Sequence, residues 1–455
     1  MVDIPLLIRD LVLFLLVALV VNFITEKLAV PYTLGLVIVG LGIGLVGLAP
    51  EAQLSPDLVL FVFLPPLLFE GAWSVKISLL RDNWRAIFFL AGPGLLLSLV
   101  IIAAALHILD GLDWATALLL AAILSPTDPV AVLGLFRQLH VNERLSNIIE
   151  GESLFNDGMA GSLYLTFLAI VLLTFHGQAP TGLAALGNGL LLFVVEAGGG
   201  LLFGAIAGFL ISRVLRRIDD PVVETTITLL SAYGIYWVAD AVHLSAIIAV
   251  LVTALILGNY GRVIGMSERT RTDADTFWRM LAFLGNALIF LLMGVQFHKF
   301  ALLLLAGPAL TTWLVALVAI GVVLLARFAL VLVLTARSWV SLPRKAGRPL
   351  LAPLVKQPLP RAWQLIVFWS GLRGALSLAL VLALPLDVPS REVLVFSTYA
   401  VVLFTLLIQG LSIHWVLQRV LSPAPARQAH PAGDLQEDEP VIDASTTEEA
   451  EEPLQ

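Results

Sequence analysis

Ser125-Pro126-Thr127-Asp128-Pro129 and Gly151-Glu152-Ser153-Leu154-Phe155-Asn156-Asp157-Gly158 are two polar segments in a chain otherwise suited to hydrocarbon. A charge at the centre of a membrane helix costs roughly 2.5–3.5 kcal/mol on insertion scales. A sequence that places Asp128, Glu152 and Asp157 within thirty positions is handling a charge of its own, and a cation is the simplest candidate. Pro126 and Pro129 each remove a backbone donor and disfavour regular helix. Carbonyls freed in this way need protein or a cavity around them. A break there leaves half-helix ends facing the midplane, where carbonyls can coordinate a cation and a carboxylate can meet a positive helix end. Asp128 is placed for the second role. The other segment reads as continuous helix after Gly151. Ser153 and Asp157 share a face, while Asn156 lies about 100° round from Asp157 and offers an amide toward Asp128.

The surroundings of these segments fix the class of protein. Of 455 residues, 59% are hydrophobic and 13% charged, and the mean hydropathy is +0.97. Soluble domains carry about 25% charged residues. Apolar runs of about 20 residues recur along nearly the whole chain, which predicts an all-α polytopic membrane protein. Thirteen spans are expected, at about 5–24, 31–49, 56–73, 84–109, 113–136, 145–175, 182–212, 222–241, 243–261, 273–297, 300–336, 362–386 and 391–420. Asp3 and Asp10 spoil the basic start that a cleaved signal needs, so the first span is read as retained. Cysteine is absent, so there is no disulfide framework, thiolate site or Cys nucleophile. Residues 422–455 hold nine acids against one arginine, so the net charge of −7 becomes +1 over residues 1–421. This stretch is read as an acidic, disordered cytoplasmic tail.

The loops alternate in charge. One set carries twenty Lys and Arg residues, from Lys27 through Lys76, Arg144, Arg217 and Arg271 to Arg427; the other carries Lys299, Arg391 and Arg9. By the positive-inside rule the basic set is cytoplasmic. The N-terminus is then outside, the C-terminus inside, and the odd number of spans agrees.

Once loops are set aside, Glu70, Asp128, Glu152, Asp157, Glu196, Arg327 and Arg373 are the ionisable groups left within spans, with Arg279 nearer an end. Such groups line a bundle interior, a cavity or one another. Glu152 is matched with Arg327. Glu70 follows a double-proline break in Leu64-Pro65-Pro66-Leu67-Leu68-Phe69-Glu70, and Gly371-Leu372-Arg373-Gly374-Ala375 marks a second interrupted helix. Paired interruptions in separate halves point to a transport site between inverted repeats. A cation channel is the competing class, but the polar residues cluster near mid-span and do not line a pore. An enzyme is not expected: Phe155 stands where a Gly-x-Ser-x-Gly elbow needs glycine, and the histidines considered for a general base lie at span ends or in loops.

Together these four elements resemble the NhaP-type sodium/proton antiporters and the animal sodium/hydrogen exchangers, in the family's order over about residues 5–420. The resemblance implies an antiporter fold with two crossing interrupted helices, a core domain (about 84–175 and 300–420) and a dimerisation domain (about 5–73 and 182–297). It implies that Asp157 binds cation and proton in turn, with Ser153, Glu70 and the Thr127 carbonyl completing a Na⁺ shell. It further implies that Asn156 holds Asp128, that Glu152 pairs with Arg327, and that Arg373 compensates the helix ends. Electroneutral exchange, a homodimer and a multi-pass place in the plasma (inner) membrane are also implied. The transported Na⁺ and H⁺ are the ligands and no cofactor is expected; the partners are monovalent cations, protons and the bilayer, not nucleic acid. Na⁺, Li⁺ and K⁺ all suit an oxygen shell, so a K⁺-preferring antiporter stays open.

Overall fold

In hydrocarbon every backbone donor and acceptor must be satisfied within the chain, and uninterrupted Leu, Ile, Val and Ala runs do this as helices. The computed structural model describes residues 4–28, 30–47, 56–139, 141–175, 183–305, 310–339 and 360–421, and their regular structure is helical throughout. The acidic tail 422–455 lies outside the described residues. In chain order the helices are α1 (Ile4–Leu28), α2 (Tyr32–Leu45), α3 (Pro56–Ser74), α4 (Ile77–Asp110), α5 (Trp114–Leu124), α6 (Val130–Gln138) and α7 (Glu143–Phe175). There follow α8 (Leu183–Leu215), α9 (Pro221–Ala241), α10 (Ala246–Gly265), α11 (Glu268–Leu305), α12 (Leu310–Trp339), α13 (Arg361–Trp369), α14 (Ala375–Leu382) and α15 (391–421). Side-chain caps start several of them. Asp113 accepts from Thr116 N at 3.0 Å, Asp220 from Val222 N at 2.9 Å, and Ser245 from Ile248 N at 3.3 Å.

Among the described residues, ten helices are long and apolar enough to cross a membrane, and Tyr32–Leu45 and Trp114–Leu124 are shorter apolar helices. The expected count of thirteen is therefore not matched by length alone: the two interrupted stretches are divided into α5/α6 and α13/α14, and α2 has 14 residues. The expected boundary between 297 and 300 is also displaced, because α11 runs unbroken to Leu305. The long stretch at 145–175 is one helix of 33 residues. At 1.5 Å per residue it extends about 50 Å, well beyond a hydrocarbon core of about 30 Å. The double proline does not break α3. A π-turn over Val59–Phe63 precedes it, Leu64 N reaches Val59 O, and the chain enters Pro65 and Pro66 at the start of an α segment. The missing proline donors fall where the first turn has no partner for them.

The helices pack in two sets. Helices α2 and α3 lie against α11, α1 against α2 and α11, and α8 and α9 against α10. In the other set α4 packs on α7 and α12, α5 on α4 and α7, and α15 on α12, α13 and α14. The sets meet where α7 touches α8 and α10, and where α14 touches α11 and α3. Small residues let backbones approach closely, as expected where helices associate without a hydrophobic driving force. A Cβ on Gly40 would meet the Leu291 carbonyl, and one on Gly294 would meet the Val37 carbonyl. Replacing Gly294 by Leu is expected to separate α2 from α11 and lower the midpoint of thermal unfolding in detergent, while Gly321→Leu, at a glycine with open space around it, leaves that midpoint nearly unchanged.

Candidate functional site

The two interruptions supply each other's missing partners. Helix α5 ends at Leu124, and residues 125–129 run irregularly before α6; α13 ends at Trp369, and residues 370–374 run irregularly before α14. Asp128 N donates to Leu372 O at 2.8 Å, so the strands of backbone touch. One carboxylate oxygen of Asp128 accepts from Val130 N at 2.9 Å, at the start of α6, and the other from Ala375 N at 3.3 Å, at the start of α14. Asp128 therefore faces two positive half-helix ends. The negative ends are met by cations. Buried Arg373 donates to Ser125 O at 2.6 Å and Pro126 O at 2.9 Å, beyond the C-terminus of α5. Buried Arg327 donates to Val367 O at 2.8 and 3.2 Å, at the C-terminus of α13. Four half-helix ends thus have charges of the sign that their dipoles favour.

Arg327 also forms a two-pronged ion pair with Glu152, with side chains 4% and 2% exposed. The sequence brought these residues together as a pair; it did not anticipate the second role of Arg327 at α13. Gly374 is needed for close approach: a Cβ there would overlap the Asp128 carboxylate. Gly374→Ala is expected to reduce transport in vesicles at least about tenfold, since relieving the overlap moves Asp128 off Ala375 N and forfeits a charge-assisted bond of about 1.5–3 kcal/mol.

Thr127 is held from α7. Ser153 Oγ donates to Thr127 O at 2.6 Å, Asn156 Nδ2 donates to Thr127 Oγ1 at 2.7 Å, and Thr127 N lies 3.5 Å from Asn156 Oδ1. The expected reach of Asn156 to Asp128 is therefore not the arrangement found. Asn156 braces Thr127, one residue earlier, because Asp128 is turned across the break toward Ala375.

Asp157 differs from these braced groups. It is half-buried, and no donor among the described residues reaches its carboxylate. It lines a cavity of 410 Å³ together with Glu70, Thr127, Asp128 and Ser153. The cavity is walled by both sets of helices. Its lining extends to Ser74, Leu133, Glu150 and Arg279, toward the helix ends next to the basic loops. Glu152, Asn156, Arg327 and Arg373 do not line it. Beyond the groups expected at the site, polar residues in the lining include Tyr32, Glu150, Asn286 and Ser377. Glu150 was legible, being seven residues before Asp157 and hence on its face. Asn286 and Ser377 are neutral, so a search for ionisable groups passes over them.

The geometry offers the Asp157 carboxylate in the same cavity lining as a hydroxyl and a main-chain carbonyl, which are oxygen donors of the kind that hard alkali cations take. Ser153→Ala removes the hydroxyl and frees the Thr127 carbonyl. It is expected to raise the half-saturating cation concentration about three- to tenfold with the maximal rate less affected, as one hydrogen-bonding group of about 0.5–1.5 kcal/mol is lost.

Known proteins share the sequence family and the fold. Residues 12–419 match the family described as sodium/hydrogen exchanger, transmembrane. The Na⁺/H⁺ antiporter ApNhaP of Aphanothece halophytica is 38% identical over 392 residues, covering 86% of this chain and 70% of its own. The Na⁺/H⁺ antiporter NhaH of Halobacillus aidingensis is 35% identical over 420 residues, covering 90% of this chain and 97% of its own. The sodium proton antiporter MjNhaP1 of Methanocaldococcus jannaschii, solved at pH 8, superposes with a TM-score of 0.71 at 20% identity, over 91% of this chain and 99% of that one. A matched family over nine-tenths of the sequence, relatives above 30% identity and the same helical fold lead to one conclusion: this multi-pass membrane protein belongs to the sodium/hydrogen exchanger family.

Proposed function

We propose that this protein exchanges Na⁺ for H⁺ across the membrane by competition at Asp157. The observation that carries the reading is that Asp157, alone among the acids at the interruptions, is left unbraced in a cavity between two helix sets, beside the Ser153–Thr127 oxygens. Its relatives' names as Na⁺/H⁺ antiporters support the same choice of ions. A carboxylate that holds either one Na⁺ or one H⁺ carries the same net charge on both journeys, so exchange is 1:1 and electroneutral. Glu70 and the Thr127 carbonyl join Ser153 in the cation shell, while Asp128, Asn156, Glu152, Arg327 and Arg373 hold the interruptions in place.

Helices α4–α7 and α12–α15 form the moving core, with its boundary after residue 305 since α11 is continuous. Helices α1–α3 and α8–α11 form the stationary, dimerising part. Large apolar side chains that face outward from α1 and α8, such as Phe23, Leu190 and Leu202, meet lipid or a second copy. If α2, α5/α6 and α13/α14 each complete one crossing, the crossings number thirteen. The N-terminus is then outside, the C-terminus is cytoplasmic, and the cavity opens to the cytoplasm.

The test is purified protein in proteoliposomes with a pH-sensitive dye, challenged in turn with Na⁺, Li⁺ and K⁺. Na⁺ is expected to dissipate a preset proton gradient, at a rate unchanged by an imposed membrane potential. A response to K⁺ exceeding that to Na⁺ reassigns the cargo, potential-dependent current without counterflow makes it a channel, and no response to any cation overturns the reading.

A further inference from the structure

The face of α7 that carries Ser153 and Asp157 continues past the cavity to one more polar group. Tyr164 is seven residues beyond Asp157 and eleven beyond Ser153, within about 20° of both around the helix and about 10 Å farther along it. It does not line the cavity. Its side chain is wholly buried, and its hydroxyl has no hydrogen-bond partner among the described residues. Buried hydroxyls almost always have one, and an exception calls for an account. Between the two residues the path is shut by apolar packing: Ile247 presses on Gly161, and Leu251 and Ile248 press on Gly158.

Beyond this plug the polar groups resume. Tyr236 on α9 and Tyr399 on α15 are buried as well. Arg391 begins α15, and its Nε donates to Leu384 O at 3.0 Å. In sequence it belongs to the sparse loop set, opposite the basic loops next to the cavity. Tyr399 OH donates to Gln296 Oε1 at 3.3 Å. That bond joins α15 of one helix set to α11 of the other, on the side where the cavity is absent.

We infer that Tyr164, Tyr399, Gln296 and Arg391 mark the closed half of the ion route, and that the Tyr399–Gln296 bond is the latch that parts when Asp157 is presented to the far face. The inference rests on the proposed exchange at Asp157 by a core that moves against the stationary helices. With the latch parted and the Ile247–Leu251 plug displaced, water reaches the Tyr164 hydroxyl and then Asp157. Tyr164 and Tyr399 are thus positioning residues for the second half of the cycle.

Because the chain has no cysteine, one introduced thiol reports unambiguously. Tyr164→Cys and a cavity control, Leu133→Cys, are placed in sealed vesicles of known orientation and exposed to a membrane-impermeant methanethiosulfonate on one side. The control is expected to react from the face of the basic loops, and Cys at 164 from the opposite face, faster when Tyr399→Phe is added. Reaction of both from the same face, or none at 164 in a variant that exchanges, overturns the inference. Tyr399→Phe in the otherwise native chain covers the case in which Tyr164→Cys does not fold. Removing one hydrogen bond that favours the closed state should lower the half-saturating Na⁺ concentration at the far face by roughly three- to tenfold and raise it at the cavity face. Equal changes from both faces, or none, mean a structural contact only. If native protein in the same vesicles does not exchange, the functional reading falls; if it exchanges while these results fail, only the latch falls.

Discussion

Asp157→Asn is expected to reduce sodium-driven proton movement in proteoliposomes to that of protein-free vesicles while leaving the protein folded. Asparagine keeps the size of aspartate but carries neither the charge that draws a cation nor a group that titrates in its place. The fold does not depend on this carboxylate, because no donor among the described residues reaches it. Asp128, which lines the same cavity from the interruption between α5 and α6, is the contrast: both of its oxygens are committed to helix N-termini. Asp128→Asn should therefore lose both stability and transport, where Asp157→Asn loses transport alone. A binding measurement separates the two. A ligand that binds only the folded state stabilises it by RT ln(1 + [L]/Kd), about 1.4 kcal/mol at ten times Kd. Na⁺ should raise the unfolding midpoint of the native protein, less so as pH falls and protons take the same site, and should not raise that of Asp157→Asn. Retained exchange, or a retained Na⁺ shift, would remove Asp157 from the centre of the mechanism.

Much of this arrangement is legible in the sequence, for physical reasons that differ from residue to residue. The break at 125–129 can be read because two prolines in an apolar span deny helical hydrogen bonds, and a bilayer interior, which offers no hydrogen-bond partners, permits such a break only inside protein or against a cavity. Glu152 and Arg327 can be paired because charges in hydrocarbon need partners and few are on offer. The partner of Asn156 cannot be read. Helical spacing gives the direction in which the amide points, but the path of the irregular residues 125–129 decides whether Thr127 or Asp128 stands opposite it. The service of Asp128 to Ala375 is likewise invisible, since it depends on two irregular segments 247 residues apart meeting in space. The double proline of α3 misleads for a local reason: a π-turn over residues 59–63 absorbs the missing donors, so a pattern that interrupts α5/α6 leaves α3 continuous. Sequence therefore identifies which groups need partners, and the crossing of the interruptions determines which partners they receive.

The buried pair provides the second large expected effect. Glu152 and Arg327 are both nearly inaccessible, yet neither lines the cavity. Removing one partner of a buried ion pair costs about 3–5 kcal/mol, because a charge is left without compensation. The two single variants should not be equal. Glu152→Gln leaves Arg327 bonded to Val367 O, so the guanidinium still faces a negative helix end. Arg327→Met strands Glu152 and uncaps α13 at once, and should unfold at the lower temperature. The double variant Glu152→Gln/Arg327→Met has no stranded charge and is expected to be more stable than Arg327→Met alone, even though it carries one more substitution. Such a recovery is the signature of coupling in a double-mutant cycle. Because the α13 cap is still missing, the double variant should recover exchange only in part, together with its fold. Additive losses of stability would mean that the two residues act independently. Recovery of the fold without exchange would place the pair in the transport step itself, where Arg327, by holding the end of α13, sets the position of the second interruption against Asp128.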